Sequence, residues 1–452
     1  MDERETSPRE SWLRPYFRAS DIRERLTSRY HNSVVRRTVI LAGLGLPTFG
    51  ANFLIPYLTA DLLSAENFSL FYVATAVVNV LFSGSFVLNL FLTRYLVVVE
   101  RGQGASGLYS AMRRINRVAA IWGWVTTAGI FAALLVVAER FGVRSHAVVL
   151  LIVLDAYSAY LADLARIMLA SMRRTAALGA YTLVWTVLRL VLCLFGIAVS
   201  GTVWAAMLGI VAAAVVMHLG FRIWLSRVEP RKEPTVPSLP SPIALLPLLL
   251  GYGLLIAVSN LDVLLSYFLF VENDLAAYSA SSVFPKTLLL VTVPLLQMLF
   301  AIMAGEHPSA TGRRKIVQKS VATVLAMTAA GAAFVWLFSA SFCGGAWGIK
   351  LCQPYALGIL LLSILPQAVL RVLVVSHFAR GRDWLAVSLV VPSTFYVAVV
   401  WLSHPRVDMM AQQFAIFSMV SLIFYAALQW ASAQGALRGA LPVGRRDAAR
   451  DL

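Results

Sequence analysis

The sequence predicts an all-α integral membrane protein with twelve transmembrane helices, arranged as two six-helix lobes around a central cavity. Hydrophobic residues make up 59% of the 452 residues and charged residues only 13%, against about 25% charged in soluble domains. The mean hydropathy is +0.77. Twelve apolar runs are each long enough to cross the hydrocarbon of a bilayer, which takes about 20 residues. These observations exclude a soluble enzyme.

The apolar runs fall into two groups of six. The first 37 residues are polar and carry nine Arg before any apolar run, which is the wrong order for a cleavable signal peptide. The predicted spans are 38–60, 68–92, 118–138, 147–170, 176–199, 202–224, 243–269, 275–303, 320–340, 355–377, 384–402 and 411–432.

The distribution of basic residues predicts the orientation of the chain. The formal net charge is +16, and 30 of the 38 Lys and Arg lie in the two tails and in alternate connections, when Arg222 at the inner end of span six is counted with the connection that follows it. The other connections hold only four, and four more lie within spans. Cytoplasmic segments are enriched in Lys and Arg, so both termini are predicted to be cytoplasmic. No basic patch lies on a soluble segment, which argues against nucleic-acid binding.

A proline-rich linker divides the chain into halves. It reads RVEPRKEPTVPSLPSP, and its five prolines cannot continue a helix. The expected organisation is a basic tail at 1–37, a lobe at 38–226, the linker at 227–242, a second lobe at 243–432 and a tail at 433–452. A short echo supports duplication, because Glu-Asn, four intervening residues and then Tyr occur after span one and again after span seven.

Polar residues at helical spacing predict which helices face the cavity, since a surface that faces lipid should be apolar throughout. Such stripes occur on the first two helices of each half. The alternative is that these residues bond neighbouring helices together. The stripes are Thr48, Asn52 and Thr59; Tyr72, Thr75, Asn79 and Ser83; Tyr252, Ser259, Asp262 and Ser266; and Tyr278, Ser282 and Lys286.

Charged residues inside the spans need a partner, water or a function, because a lone charge at mid-bilayer costs at least about 2.5–3.5 kcal/mol. Asp262 and Lys286 lie at similar depth on adjacent helices, either as a structural ion pair or in substrate binding. Arg189 is a substrate-binding candidate that Asp155 on span four could reach. Asp155 and Asp262 are candidates for ion coupling.

Two further charged positions have simpler interpretations. Asp163 and Arg166 are three residues apart on span four, which favours a local ion pair. Arg371 lies nearer the inner end of span ten, where we expect its side chain to snorkel toward the interface.

The three cysteines suggest no metal site. Cys343 and Cys352 share the outer loop between spans nine and ten, where a disulfide and two free thiols are equally compatible with the sequence. Cys193 lies within span five as a small apolar residue. The six His form no cluster, and no nucleotide-binding or hydrolase motif occurs where its chemistry would need it, so no cofactor is expected.

Residues 259–306 carry a pattern found in a known family. They read SNLDVLLSYFLFVENDLAAYSASSVFPKTLLLVTVPLLQMLFAIMAGE, with Asn and Asp in one apolar helix and Tyr, small residues and a basic residue in the next. This resembles helices seven and eight of polysaccharide-biosynthesis flippases of the multidrug/oligosaccharidyl-lipid/polysaccharide exporter superfamily. Residues 38–101 look like the first hairpin of that family. The matching residues are Asn260, Asp262, Tyr278, Ala280, Ser281, Lys286 and Arg94.

The resemblance implies a transporter that flips a polyprenyl-pyrophosphate-linked oligosaccharide across a bacterial inner membrane by alternating access, for cell-surface polysaccharide or exopolysaccharide assembly. Its partners would be that lipid-linked substrate, membrane lipids and a polysaccharide polymerase or export machinery. The cavity candidates are then Lys286, Asp262, Arg189, Asn260, Tyr278, Ser282, Asn52, Asn79 and Tyr72.

Three alternatives remain from the sequence. An ion-coupled multidrug or cation antiporter of the same superfamily would use buried carboxylates such as Asp155 and Asp262. A membrane enzyme would need a long outer loop, and the longest here has about 15 residues. A sugar transporter of the major facilitator type would carry a basic motif between spans two and three, which ERGQGASGLYSAMRR lacks.

Overall fold

The computed structural model describes residues 43–45, 47, 48, 50–140, 146–172, 174–227, 254–305, 310–343, 352–379 and 384–433, and these are helices joined by short connections. Helix α1 covers 50–62, preceded by helical residues 43–45, 47 and 48. The others are α2 (Ala65–Arg140), α3 (His146–Ser171), α4 (Thr175–Ser200), α5 (Val203–Arg227), α6 (Leu254–Leu269), α7 (Glu272–Val291), α8 (Val293–Gly305), α9 (Ala310–Leu337), α10 (Ser339–Phe342), α11 (Pro354–Phe378), α12 (Trp384–Val387), α13 (Val390–Ser403) and α14 (Val407–Ala433).

Every predicted span overlaps described helix, although 38–42 and 243–253 lie outside the described residues, and seven of the described helical stretches are long and apolar enough to cross a bilayer. The chain is therefore a multi-pass membrane protein. The predicted tails at 1–37 and 433–452 lie outside the described residues, apart from residue 433 at the end of α14, and so does the predicted linker after Arg227.

Predicted spans two and three form one long helical element, α2, that breaks at Gly104. The backbone of Gly104 has φ 66° and ψ −161°, a region that is essentially restricted to glycine. The expected loop between these spans is instead helical on both sides of the break. Its buried Leu108, Met112 and Ile115 follow helical spacing and pack against Leu96 of the preceding arm.

The predicted span at 320–340 is interrupted at Phe338, between α9 and α10. Two more interruptions lie beside prolines and correct the continuous helices expected at 275–303 and 384–402. The first ends at Val291 and resumes at Val293, so that Pro294 lies in the first turn of α8, where proline is tolerated. The second is divided between α12 and α13, and Pro392 lies in the first turn of α13. Pro285 lies inside the helical range of α7.

Close helix packing joins α4 and α5 in the first lobe. A Cβ atom at Gly196 would overlap the backbone carbonyl of Ala205, and one at Gly209 would overlap that of Leu192. Small residues allow such close approach between helices in a membrane.

The lobes meet along α2. Helices α2 to α5 pack together in the first lobe, and α11 packs against α7, α9 and α14 in the second. Across the boundary, α2 contacts α6, α7 and α8, and α8 also contacts α3 and α4. This boundary encloses the cavity.

Candidate functional site

A cavity of about 240 Å³ lies between the two lobes. Its wall comes from residues of α1, α2, α3, α4 and α5 on one side and of α6, α7, α8 and α11 on the other. Seven of the sequence-predicted candidates line it: Asn52, Tyr72, Asn79, Asp155, Arg189, Asn260 and Lys286. Thr48, Thr75 and Ser259 of the predicted stripes also contribute, whereas Tyr252 and the side chain of Ser83 lie outside the described residues.

The other three candidates, Asp262, Tyr278 and Ser282, are buried next to the cavity and do not line it. Asp262 is fully buried, and Lys286 Nζ lies 2.6 Å from its Oδ1. Tyr278 donates its hydroxyl to the other oxygen, Oδ2, at 2.8 Å. Both oxygens of Asp262 are therefore occupied by protein donors. The Lys286 ammonium also lies 5.9 Å from the ring centroid of Phe414.

Neutral contacts join the two lobes beside this cluster. Ser282 donates its hydroxyl to the Tyr72 hydroxyl at 3.1 Å. Asn79 Nδ2 donates to Asn260 Oδ1 at 3.4 Å. Tyr72, Asn79 and Ser282 belong to the predicted stripes on spans two and eight, and Asn260 lies on span seven outside its stripe. The predicted cavity residues therefore also make lobe-to-lobe contacts.

An aromatic contact also joins the two lobes. The rings of Phe53 on α1 and Phe284 on α7 lie with centroids 4.5 Å apart. Aromatic pairs at this separation contribute about 0.5–1.5 kcal/mol beyond the burial of their area.

The first-lobe wall carries a second group of charged and aromatic residues, on α3 and α4. Arg166 Nη1 lies 2.7 Å from Asp163 Oδ1, as the spacing of the two residues predicts, and its guanidinium lies 5.5 Å from the ring centroid of Trp185. Asp155 is buried and interacts electrostatically with Arg189.

The expectation that Arg371 snorkels to the interface is wrong. Its residue exposure is 6%, it lines the cavity, and its Nη2 donates to the Ser259 hydroxyl at 3.3 Å. Ser259 donates in turn to Gln367 Oε1 at 3.3 Å, and Gln367 donates to the hydroxyl of Ser418 at 2.9 Å. This buried polar network provides the environment that replaces interfacial water for the guanidinium.

Sequence reasoning missed several members of the cavity wall as site residues, among them Arg371, Arg166 and Trp185. Arg371 and Arg166 were interpreted as structural because each had a simpler explanation nearby. Trp185 was not considered, although it lies four residues before Arg189 and therefore on the same helix face. Helical spacing from Arg189 was the signal that could have identified it.

The structure bonds Cys343 to Cys352, with their Cα atoms 4.9 Å apart. Cys193 is a buried free thiol. The described residues contain no cluster of His, Cys, Asp or Glu that could hold a metal ion.

No family model matches the sequence, and no curated protein matches it. Solved structures do match the fold. A MATE transporter of Vibrio cholerae is 14% identical, covers 91% of this chain and 98% of its own, and has a TM-score of 0.63. MATE in the straight conformation is 15% identical, with coverages of 90% and 96% and a TM-score of 0.60.

A third match is a transporter of the MOP superfamily from Pyrococcus furiosus, described as having a binding pocket of reverse polarity that suggests a different function. It is 15% identical, with coverages of 89% and 95% and a TM-score of 0.58. The predicted fold class is confirmed: this chain has the all-helical, two-lobed membrane fold of MATE transporters of the MOP superfamily.

Proposed function

We propose that this protein exports an anionic amphiphile, a polyprenyl-pyrophosphate-linked oligosaccharide, from the cytoplasmic to the outer leaflet by alternating access between its two lobes. The observation that carries the proposal is the charge of the cavity. Its described wall holds four cationic side chains and one carboxylate: Arg166, Arg189, Lys286, Arg371 and Asp155.

The carboxylates near the cavity are each matched by a cation. Asp163 and Asp262 form ion pairs with Arg166 and Lys286 at 2.7 and 2.6 Å, and Asp155 interacts with Arg189. Counting these three carboxylates against four cations leaves one excess positive charge in a region of low dielectric. Such a cavity favours an anion over a cation.

The rest of the wall suits a sugar. Hydroxyl and amide groups can exchange hydrogen bonds with sugar hydroxyls, and aromatic rings can pack on the faces of sugar rings. The described wall includes Thr48, Asn52, Tyr72, Thr75, Asn79, Asn260 and Trp185.

The size of the cavity supports a conformational cycle. About 240 Å³ is below the roughly 300 Å³ at which pockets for drug-sized ligands begin, so an oligosaccharide headgroup requires the lobes to separate. Among the described residues, the hydrogen bonds and the aromatic pair that join the lobes at the cavity are uncharged: Tyr72 with Ser282, Asn79 with Asn260, and Phe53 with Phe284. Neutral hydrogen bonds contribute only about 0.5–1.5 kcal/mol each, so they can open and close reversibly.

Topology and location follow from the same proposal. The bias of basic residues supports cytoplasmic termini, and a polyprenyl-linked substrate supports a location in a bacterial inner membrane. Delivery of a lipid-linked oligosaccharide to the outer leaflet calls for a polymerase or export machinery on that side.

An ion-coupled multidrug or cation antiporter is the second candidate, and the solved relatives favour it. Two of the matches described above are MATE transporters, and buried Asp155 on the cavity wall has the chemistry to bind a proton or a cation. The relative with a pocket of reverse polarity indicates that pocket charge differs among proteins of this fold.

Proteoliposomes distinguish the two candidates. The purified protein is reconstituted with an undecaprenyl-pyrophosphate-linked disaccharide that carries a fluorophore on the sugar, and a membrane-impermeant reductant reports the labelled lipid in the outer leaflet. The same vesicles are tested for uptake of a quaternary ammonium dye under imposed proton and sodium gradients. We expect flipping of the labelled lipid and no gradient-driven dye transport. Dye transport without flipping would replace the proposal with the antiporter.

A lobe-locking variant provides the control. Cysteines at Asn79 and Asn260 would face each other across the lobe boundary, because their side-chain atoms lie 3.4 Å apart. Cross-linking of Asn79→Cys/Asn260→Cys with a short bifunctional methanethiosulfonate, which spans the space that the two amide groups fill, should stop transport, and reduction should restore it. Wild-type protein taken through the same treatments controls for the native cysteines.

A further inference from the structure

We infer that the first-lobe wall formed by α3 and α4 contains a phosphate-binding subsite, with Trp185 and Arg189 as its ligand-contacting residues. This inference rests on the proposed function, because it assigns the pyrophosphate of the lipid-linked substrate to a place in the cavity. It places the anion site away from Lys286, the cationic candidate of the second lobe.

Unmatched hydrogen-bond donors point to this place. Three buried nitrogen atoms on this wall have no hydrogen-bond partner among the described residues: Arg166 Nε, Trp185 Nε1 and Arg189 Nε. All three atoms can only donate. Trp185 and Arg166 are 6% and 7% exposed, so their unmatched donors are costly, about 1–3 kcal/mol each. A ligand rich in acceptors, as a phosphate is, would satisfy them.

One face of α4 carries most of the polar side chains of this wall. Thr182, Trp185, Thr186 and Arg189 follow helical spacing and all line the cavity. The two threonine hydroxyls donate to the backbone carbonyls of Leu178 and Thr182, at 2.8 and 2.9 Å. Their protons are therefore engaged within the helix, and the indole and the guanidinium are the donors that remain for a ligand.

Neighbouring carboxylates hold the two guanidinium groups at this wall. Asp163 pairs with Arg166 at 2.7 Å, while Asp155 interacts with Arg189 without a hydrogen bond among the described contacts. Arg189 therefore keeps its donors available, and a guanidinium can bind phosphate oxygens in a bidentate manner. Lys286 differs, because Asp262 lies 2.6 Å from its ammonium.

Direct binding tests the subsite on the purified full-length protein. The probe is farnesyl pyrophosphate, a short polyprenyl pyrophosphate, measured by isothermal titration in detergent. Trp185→Phe keeps the ring and removes the N–H, and Arg189→Gln removes the charge. We expect each to weaken binding by about tenfold or more, and Arg189→Lys to recover part of the loss. Arg117→Gln, at an exposed position, should bind like wild type.

The ion pair of Asp262 and Lys286 in the second lobe is the alternative anion site, and a variant of it distinguishes the two sites. Asp262→Leu/Lys286→Met removes that ion pair without changing the net charge of the cavity, and the double variant should weaken the binding of farnesyl pyrophosphate much less than Trp185→Phe or Arg189→Gln does. Loss of binding there, with full binding by Trp185→Phe and Arg189→Gln, would overturn the subsite and leave the proposed function standing. Size-exclusion profiles establish folding, and Trp185→Phe remains informative should Arg189→Gln not fold.

Competition experiments identify the source of the phosphate that binds. Inorganic pyrophosphate should compete with farnesyl pyrophosphate, whereas phosphatidylglycerol in nanodiscs should not. Competition by phosphatidylglycerol would overturn the assignment to the transported lipid. Wild-type protein that binds no pyrophosphate would overturn both the subsite and the proposed substrate, with water alone as the partner of these donors.

Discussion

Removing Lys286 should destabilise the protein more than removing Lys286 and Asp262 together. Asp262 is fully buried, while the side chain of Lys286 is 16% exposed. Lys286→Met leaves the carboxylate with the Tyr278 hydroxyl at 2.8 Å as its described partner. An uncompensated buried charge costs about 3–5 kcal/mol, and we expect a loss of that size in the free energy of unfolding.

The double and triple variants follow from the same contacts. Asp262→Leu/Lys286→Met removes both charges, so the expected loss is the Tyr278 hydroxyl left without its acceptor, about 1–3 kcal/mol. Adding Tyr278→Phe removes that hydroxyl as well and should recover most of the remaining loss. The pair should therefore show a coupling free energy of several kcal/mol, because neighbouring charges are not additive.

Steric trapping in bicelles measures these free energies of unfolding directly. Lys315→Met, at an exposed position of α9, is the matched control and should lie within about 0.5 kcal/mol of wild type. A double variant as destabilised as the sum of its single variants would refute the reasoning, since the two side chains would then act independently.

Three further predictions concern other parts of the molecule. In a background without native cysteines, a cysteine at Ser238 should react with impermeant reagents only from the cytoplasm and one at Ser64 only from outside; the opposite pattern would invert the topology. Unfolded wild-type protein should gain two free thiols on reduction, from Cys343 and Cys352, and an unchanged thiol count would contradict the bond. Gly209→Ala should lower the melting temperature because its Cβ meets a backbone carbonyl, whereas Gly220→Ala, with open space around its Cβ, should not.

The fold class was predictable because it depends on quantities that a sequence displays directly. Span number follows from apolar length, and the two halves follow from the prolines of the linker. Helix interruptions were not predictable to the residue. Hydropathy treats 275–303 as one run, although the backbone leaves the helix between Val291 and Val293, next to Pro294.

The cavity wall was predictable on spans one, two, seven and eight, where polar residues stand out against an apolar helix. The lining residues on spans four and five were harder to predict. Arg166 has a partner three residues away, and Trp185 is apolar enough to resemble lipid-facing surface. Their place on the cavity wall depends on how α3 and α4 rotate in the lobe, which packing determines and local sequence does not.

The break at Gly104 has a mechanical consequence. The arm of α2 before it touches the other lobe through Tyr72 and Asn79, and the arm after it is joined to α3 by the hydroxyl of Tyr157. Buried apolar side chains from both arms pack against each other. The bend at Gly104 is therefore expected to be rigid. A movement of the first arm should therefore carry the second arm and α3 with it. We therefore expect the first lobe to tilt as one body, opening the passage over its full depth and not by the bending of a single helix.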